Sequence, residues 1–193
     1  MSSAKQDTHA RLLTVALRLF KKHGSGVRIE DVAREAGVTR QSVYLHFGSR
    51  AGLLVALAEH VDATGSLAQL IDRIVTAPNA LAALDAFVAL EADYNPEVYP
   101  LAMWLMRDRY TDEAARAAWE NRMEARRSGT RQLVQWLERD GLLKPEWDID
   151  TATDAIWALA SLQVWEQLVI DRGWSKERYQ QHLGQLLRAT FVK

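Results

Sequence analysis

Apolar residues recur along this chain at spacings of three and four, the period of an α-helix that is buried on one side. A segment from about Asp7 to His23 shows this period on its buried side, at Leu12, Leu13, Ala16, Leu17, Leu19 and Phe20. Glycine and serine at residues 24–26 are expected to end this helix. Because we find no convincing pattern of alternating apolar and polar residues, the chain is predicted to be all-α.

Two short helices joined by a tight turn are predicted next. The first runs from about Ile29 to Ala36, where Gly37 can take the left-handed conformation that ends a helix. Thr39 is a suitable N-cap for the second helix, which is expected to run from Arg40 to Phe47. This arrangement is typical of a helix-turn-helix that reads DNA.

The remaining residues complete a prediction of about nine helices. A fourth helix is expected from Ser49, and residues 63–66 interrupt it either as a kink at Gly65 or as a plain break between two helices. Pro78 and Pro96 are each expected to introduce a new helix, ending near residues 94 and 109. Three further helices are expected over residues 112–139, 150–171 and 175–191.

The outward face of the second short helix has the chemistry of a surface that reads bases. It carries Arg40, Gln41, Ser42, Tyr44, Leu45 and His46. Arginine can bond a guanine edge, glutamine an adenine edge, and leucine can touch a thymine methyl group. Tyr44, His46 and the nearby Arg50 are better placed for phosphates. A merely solvated face is the alternative, because a helix-turn-helix pattern alone also has false matches.

Five groups of residues stand out in and around these two helices: Ala33, Ala36-Gly37-Val38, Tyr44-x-His46-Phe47, Ser49-Arg50 and Leu53-Leu54. In this order they resemble the TetR family of bacterial repressors, over residues 9 to 60. The resemblance implies an all-helical homodimer whose N-terminal domain binds a palindromic operator and whose larger C-terminal domain binds a small effector that releases the DNA. It also implies DNA-facing roles for Arg28, Thr39, Arg40, Gln41, Ser42, Tyr44, Leu45, His46 and Arg50.

The chain departs from the family pattern at two positions. Arg28 stands where the family usually places a threonine or serine, and a guanidinium has no acceptor with which to cap a helix N-terminus. A DNA phosphate is one partner for this arginine, and solvent is the other. Gly52 stands where the family favours an acidic residue, and glycine should slightly weaken the start of the fourth helix.

Charge is divided unevenly along the chain, although the net charge of the whole is −1. Residues 1–50 carry 9 basic and 4 acidic residues, whereas residues 51–193 carry 15 and 21. A basic segment joined to an acidic body confines the expected DNA binding to the N-terminus. We therefore predict a DNA-binding domain over residues 1–50 and an effector-binding and dimerisation domain over residues 51–193.

The composition points to a cytoplasmic protein. No stretch approaches the roughly 18 to 20 apolar residues of a membrane span, and the N-terminus lacks the apolar core of a signal peptide. The chain has 0 cysteines, so it has neither disulfides nor thiolate metal ligands. The five histidines show no paired ligand spacing, and we expect neither a cofactor nor a metal nor a membrane partner.

Large aromatic and flexible side chains in the body suggest a pocket for a small, largely apolar or aromatic effector. The candidate lining is Phe87, Leu90, Tyr94, Met103, Trp104, Arg107, Trp119, Met123, Arg126, Trp157 and Trp165. Each of them is also a suitable core residue. Arg126 lies on the same helical face as Trp119 and Met123, and its partner could be an anionic effector, an internal carboxylate or water.

The last two helices are apolar on more than one side, which is expected of helices that also pack against a second copy of the chain. The predicted dimer interface comprises Ile156, Leu159, Ala160, Val164, Leu168, Leu183, Leu186, Leu187 and Thr190. Two recognition helices would then lie about 34 to 36 Å apart, or a multiple of that, on the DNA. A buried core helix is the alternative.

These features together predict a ligand-responsive transcriptional regulator, a repressor in the first interpretation, that binds a palindromic operator as a homodimer. Activation, or DNA binding that needs no ligand, is compatible with the same residues. A helical ligand-binding or interaction protein, with DNA binding lost or dependent on a corepressor, is the alternative. An enzyme is the least favoured class, because the sequence has no nucleophile elbow, no phosphate-binding glycine loop and no cysteine nucleophile.

Overall fold

The computed structural model describes residues 3–23 and 27–193, with side chains from Asp7 onward. The helices, in chain order, are α1 (Ser3–His23), α2 (Ile29–Glu35), α3 (Arg40–Phe47), α4 (Arg50–Thr64), α5 (Leu67–Val75), α6 (Ala80–Asp108), α7 (Glu113–Arg139), α8 (Ile149–Leu159), α9 (Leu162–Trp165) with a π-helical continuation over Glu166–Asp171, and α10 (Lys176–Phe191). No strand occurs among these described residues, and Leu143 and Val192 form an isolated antiparallel bridge. The predicted all-α class is confirmed. The predicted stop at residues 24–26 lies outside the described residues.

The chain packs as two compact units. The first comprises the described residues up to Thr64 together with Pro100–Arg122, and the second comprises Gly65–Tyr99 and Met123–Lys193. These units are defined by packing within the chain. The predicted boundary at residue 50 instead separates DNA binding from effector binding and dimerisation. The functional division therefore remains a prediction.

The first unit builds the helix-turn-helix on a small core. Leu12, Val32, Val43, Leu54 and Leu57 are all 0% exposed there. Helices α1, α2, α3 and α4 pack against one another, and α2 contacts α3 most extensively. The core residues follow the predicted helical spacing, and Arg40, Gln41, Tyr44 and Leu45 of α3 lie outside.

Local signals start and stop these helices where they were expected to. Gly37 has a φ of +66°, the left-handed conformation that reverses the chain between α2 and α3. The Thr39 hydroxyl accepts a hydrogen bond from the Ser42 backbone N–H at 3.2 Å and thereby caps α3. The Arg28 side chain makes no capping bond; Asp31 instead accepts a hydrogen bond from the Arg28 backbone N–H at 3.1 Å.

Helix boundaries in the second half differ from the prediction at two places. Pro96 does not open a new helix, because α6 continues through Asn95 and Pro96 to Asp108. The predicted helix over residues 150–171 is divided, since α8 ends at Leu159 and Ser161 caps α9. Between α4 and α5, residues 65–66 form a break between two helices rather than a kink in one.

Gly52 has a tighter environment than its sequence position suggested. A Cβ atom at this residue would lie far inside contact distance of the Phe47 carbonyl oxygen and 3.2 Å from the Phe47 carbonyl carbon. Helix propensity alone would make alanine here more stable than glycine, by about 1 kcal/mol. Because the opposing atoms belong to the backbone, they cannot move aside as a flexible side chain can.

We therefore expect Gly52→Ala to destabilise the protein by about 1–3 kcal/mol, the usual cost of overpacking. Gly129, inside α7, is the matched control, because a Cβ there would meet nothing within 4 Å. Gly129→Ala should raise the stability by up to about 1 kcal/mol. Thermal denaturation followed by circular dichroism measures both variants. A stabilised Gly52→Ala variant would show that helix propensity dominates at this position.

Candidate DNA-binding surface and helical body

Helix α3 presents a polar face with an exposed leucine. Arg40, Gln41, Tyr44 and Leu45 are exposed, whereas Val43 is 0% exposed on the opposite side. Leu45 is 75% exposed, although a large apolar side chain gains nothing from contact with water. The arrangement offers donors, acceptors and one apolar contact on a single convex face, as major-groove readout requires.

Arg40, the first residue of α3, is held by two partners. Its Nη1 lies 2.8 Å from Oε1 of Glu30 on α2, and its Nη2 donates a hydrogen bond to the Tyr44 hydroxyl at 3.1 Å. The guanidinium carbon also lies 5.4 Å from the centre of the Tyr44 ring. The hydrogen bond to Tyr44 and then the Glu30 charge raise the pKa of Arg40. The position of the guanidinium on this face is therefore set by neighbours.

The other residues of the predicted DNA surface have different surroundings. Thr39 and Ser42 are joined by the α3 cap, and Arg28 is exposed at the start of α2. The His46 ring lies 5.8 Å from the His9 ring of α1. Arg50 is ion-paired with Asp112, which precedes α7 in the same unit. Asp112 is therefore a neighbour of the predicted DNA surface that sequence reasoning did not name.

The sequence of the N-terminal region, which contains this face, matches a known protein family. The sequence profile described as "Bacterial regulatory proteins, tetR family" matches residues 12–57. Residues 12–57 of this chain thus carry the N-terminal sequence of the TetR family. The profile includes the whole of α2 and α3, so the predicted resemblance is confirmed in the segment that carried it.

Curated HTH-type transcriptional regulators match this chain over a stretch of about the same length. The HTH-type transcriptional regulatory protein RaaS of Mycobacterium tuberculosis is 41% identical over 61 residues, which is 32% of this chain and 29% of RaaS. The HTH-type transcriptional regulator TtgR of Pseudomonas putida is 38% identical over 60 residues, 31% of this chain and 29% of TtgR. The matches thus span less than a third of these relatives.

Solved structures show the same fold over the full chain. NalD of Pseudomonas aeruginosa, described as the secondary repressor of the MexAB-OprM multidrug efflux pump, has a TM-score of 0.75 at 24% identity and covers 99% of this chain and 98% of its own. A regulator from Saccharomonospora viridis, crystallised in complex with choline, has a TM-score of 0.73 at 19% identity and covers 97% of this chain and 99% of its own. At these identities the likeness establishes the TetR-like fold.

The eleven residues predicted to line an effector site fall in both units. The second unit contains Phe87, Leu90, Tyr94, Met123, Arg126, Trp157 and Trp165. The first unit contains Met103, Trp104, Arg107 and Trp119. In the first unit, Trp104 packs on Phe20 with ring centres 4.6 Å apart, and Arg107 is paired with Asp108 at 3.0 Å.

Arg126 has an internal carboxylate as its partner, one of the three possibilities left open by its position. Its Nη2 lies 3.0 Å from Oε1 of Glu91, whose side chain is 3% exposed. Arg126 also donates to the Trp157 carbonyl oxygen at 2.9 Å and to the Ala160 carbonyl oxygen at 2.6 Å. These carbonyls belong to the end of α8, so Arg126 caps that helix from α7.

Further polar groups in the second unit surround this pair. Asn95 donates to Oε2 of Glu91 at 3.4 Å. Burial raises the pKa of Glu91, and the charge and hydrogen bond of Arg126 oppose this effect. Burial, assisted by the Glu91 charge, also raises the pKa of the Tyr179 hydroxyl. Neither Glu91 nor Tyr179 has a distinctive sequence signal, because each lies at an ordinary helix position.

The predicted dimer residues divide according to their burial within one protomer. Ile156, Ala160, Leu183 and Leu187 are between 0% and 5% exposed and belong to the core of this chain. Leu159, Val164, Leu168, Leu186 and Thr190 retain accessible surface, and Leu186 is 45% exposed. A dimer surface on these helices would therefore be formed by the partly exposed residues and supported by the buried ones.

Two kinds of feature are absent from the described residues. Within residues 3–23 and 27–193, no helix is both long and apolar enough to cross a membrane. Over the same part of the chain, no group of three or more histidine or acidic side chains is placed to hold a metal ion.

Proposed function

We propose that this chain is a ligand-responsive transcriptional repressor that binds a palindromic DNA operator as a homodimer. The observation that carries the proposal is the exposed face of α3, where Arg40, Gln41 and Leu45 stand outward on a helix that buries Val43 on its opposite side. The match of residues 12–57 to the TetR-family profile supports the same role. The protein would act in the cytoplasm.

In this proposal residues 1–50 read the DNA, and residues 51–193 bind the effector and form the dimer. The excess of basic residues in the first segment and of acidic residues in the second supports this division. A small organic effector of largely apolar or aromatic character would suit the tryptophan and methionine side chains of the body. An activator, or a helical binding protein whose DNA binding needs a corepressor, is the second candidate.

Selection of bound sequences from a random duplex library tests the proposal, using the full chain at moderate salt without added ligand. We expect enrichment of a palindrome whose half-sites are separated by about 34 to 36 Å or a multiple of it. The doubly substituted Arg40→Ala, Gln41→Ala protein is the control, and it should enrich a degenerate sequence or none. If the wild-type protein is folded and dimeric yet enriches nothing, DNA binding without a corepressor is excluded.

A further inference from the structure

Glu30 is an acidic residue on the most basic part of the chain. It lies on α2, and its carboxylate contacts the Arg40 guanidinium at 2.8 Å. Both side chains are about half exposed, at 46% for Glu30 and 59% for Arg40. An exposed ion pair of this kind contributes little to folding. A carboxylate there also repels the phosphates that the surrounding arginines would attract, so stability alone does not account for it.

The geometry of Arg40 explains what the carboxylate can do. Glu30 engages Nη1, and the Tyr44 hydroxyl engages Nη2, so each terminal nitrogen keeps a second N–H. Two such N–H groups are what a guanidinium needs to bond O6 and N7 of one guanine. A long arginine side chain otherwise loses rotamer freedom when it binds, and a partner that holds it beforehand reduces this loss.

The position of Arg40 in α3 also favours a nearby negative charge. It is the first residue of α3, where the positive end of the helix dipole disfavours a cation. The Glu30 carboxylate offsets that cost from the neighbouring helix. The Tyr44 ring, 5.4 Å from the guanidinium carbon, fixes a second side of the same group.

We propose that Glu30 is a specificity-determining residue, which positions Arg40 to read a guanine and so favours duplexes that contain this guanine over duplexes that do not. This inference rests on the proposed function, because it concerns how the same surface chooses its operator. Glu30 acts in two ways in this account. It lowers the entropic cost of the guanine contact, and its negative charge penalises every duplex equally.

The two effects predict opposite changes when Glu30 is replaced by alanine. Discrimination in favour of the guanine should fall by about three- to tenfold, because Arg40 loses one of its two partners. Affinity for duplexes without the operator should rise by about two- to fivefold at low salt, because a negative charge is removed. A residue that only stabilised the fold would reduce binding to all sequences alike.

The experiment begins with the selected operator and a set of duplexes carrying one base-pair change each, titrated by fluorescence anisotropy. The base pair whose discrimination disappears in Arg40→Ala is the one that Arg40 reads. Glu30→Ala should reduce discrimination at that base pair alone. Glu30→Gln, which keeps an acceptor but loses the charge, should give an intermediate value.

Glu35→Ala is the matched control. Glu35 lies on the same helix, is 44% exposed and pairs with Arg18 at 2.8 Å, away from Arg40. It should raise the affinity for every duplex as Glu30→Ala does, while the discrimination stays within about twofold of the wild-type value. Melting temperatures of all variants confirm that the compared proteins are folded.

Two results overturn the inference while the proposed function stands. One is unchanged discrimination in a folded Glu30→Ala variant, and the other is an Arg40→Ala variant that still prefers the same base at every position. If the wild-type protein binds no duplex selectively, the proposed function itself fails and this inference fails with it. The wild-type titration therefore separates the two failures.

Discussion

Replacing Arg126 by methionine should lower the free energy of unfolding by about 3–5 kcal/mol, the usual cost of leaving a buried charge without its partner. Glu91, with its side chain 3% exposed, would lose the cation 3.0 Å away, and the carbonyl groups of Trp157 and Ala160 would lose their donor. For a chain of this length, the expected fall in melting temperature is about 6–20 °C. Circular dichroism at 222 nm, at equal protomer concentrations, measures it.

The neighbouring arginine provides the control. Arg127 pairs with Asp154 at 2.8 Å, but that carboxylate is 62% exposed. Arg127→Met should therefore lower the melting temperature far less than Arg126→Met does. A double variant, Glu91→Met with Arg126→Met, removes both buried charges and should recover much of the loss of the single variant. Equal costs for Arg126→Met and Arg127→Met would contradict a structural role of the buried pair.

The instability of Arg126→Met should also depend on pH. Arg126 is the main influence that opposes the effect of burial on Glu91, so its removal raises the pKa of Glu91 further. A carboxyl whose pKa is higher in the folded than in the unfolded chain holds its proton better when folded. Stability is then lost as pH rises from the unfolded value of about 4.3 through the raised folded value. The difference in free energy of unfolding between wild type and Arg126→Met should therefore be smaller at pH 5 than at pH 7.5.

The helix-turn-helix could be predicted almost residue by residue because its signals are local. Gly37, Thr39 and the buried Val43 lie within seven residues of one another, and each acts on its own turn of backbone. Helix ends, the tight turn and the outward face follow from such short-range effects. The same reasoning predicted correctly that the Arg28 side chain does not cap α2.

Features that depend on distant partners could not be predicted in this way. The break after α8 contains neither glycine nor proline at residues 160–161, and its carbonyls are satisfied by Arg126, more than 30 residues away in the chain. Glu91 is 35 residues from Arg126, and Asp112 is 62 residues from Arg50. Helical periodicity predicts that Arg126 faces inward but does not identify the carboxylate that it meets.

At Pro96 the opposite happens, because a strong local helix-breaking signal does not end the helix. Proline removes a backbone donor and usually breaks a helix. Helix α6 nevertheless runs through it, with Ala92 and Asn95 buried before it and Leu105 buried after it. The local helix-breaking effect of Pro96 is therefore not sufficient to end α6.

Replacing Arg50 by alanine should weaken the binding of every duplex by about 10- to 100-fold at low salt, with no change in base preference. The proposed role is a phosphate contact from each protomer, which carries charge but no sequence information. Two lost contacts per dimer should also make the slope of log K against log salt less steep by about two. Titrations of operator and unrelated duplexes at several salt concentrations measure both quantities.

The contact with Asp112 makes this prediction sharper. Asp112 forms an ion pair with Arg50, and its Oδ1 accepts hydrogen bonds from the backbone N–H groups of Ala114 at 2.9 Å and Ala115 at 3.3 Å. Burial acts to raise the pKa of Asp112, but the bonds from Arg50 and from these N–H groups outweigh it, so the pKa is lowered. The carboxylate is thus charged at neutral pH, and it competes with a DNA phosphate for Arg50.

The Asp112→Asn variant distinguishes the competition for Arg50 from the contribution of the Arg50–Asp112 ion pair to folding. Asparagine is as good an N-cap as aspartate, so the start of α7 should be preserved while the charge is removed. We expect this variant to bind all duplexes about two- to fivefold more tightly, the reverse of Arg50→Ala. Arg127→Ala, which removes an arginine from the second unit, is the charge-matched control and should change binding by less than about twofold. If Arg50→Ala lowers stability but leaves the salt dependence unchanged, Arg50 holds α4 to Asp112 and does not contact phosphate.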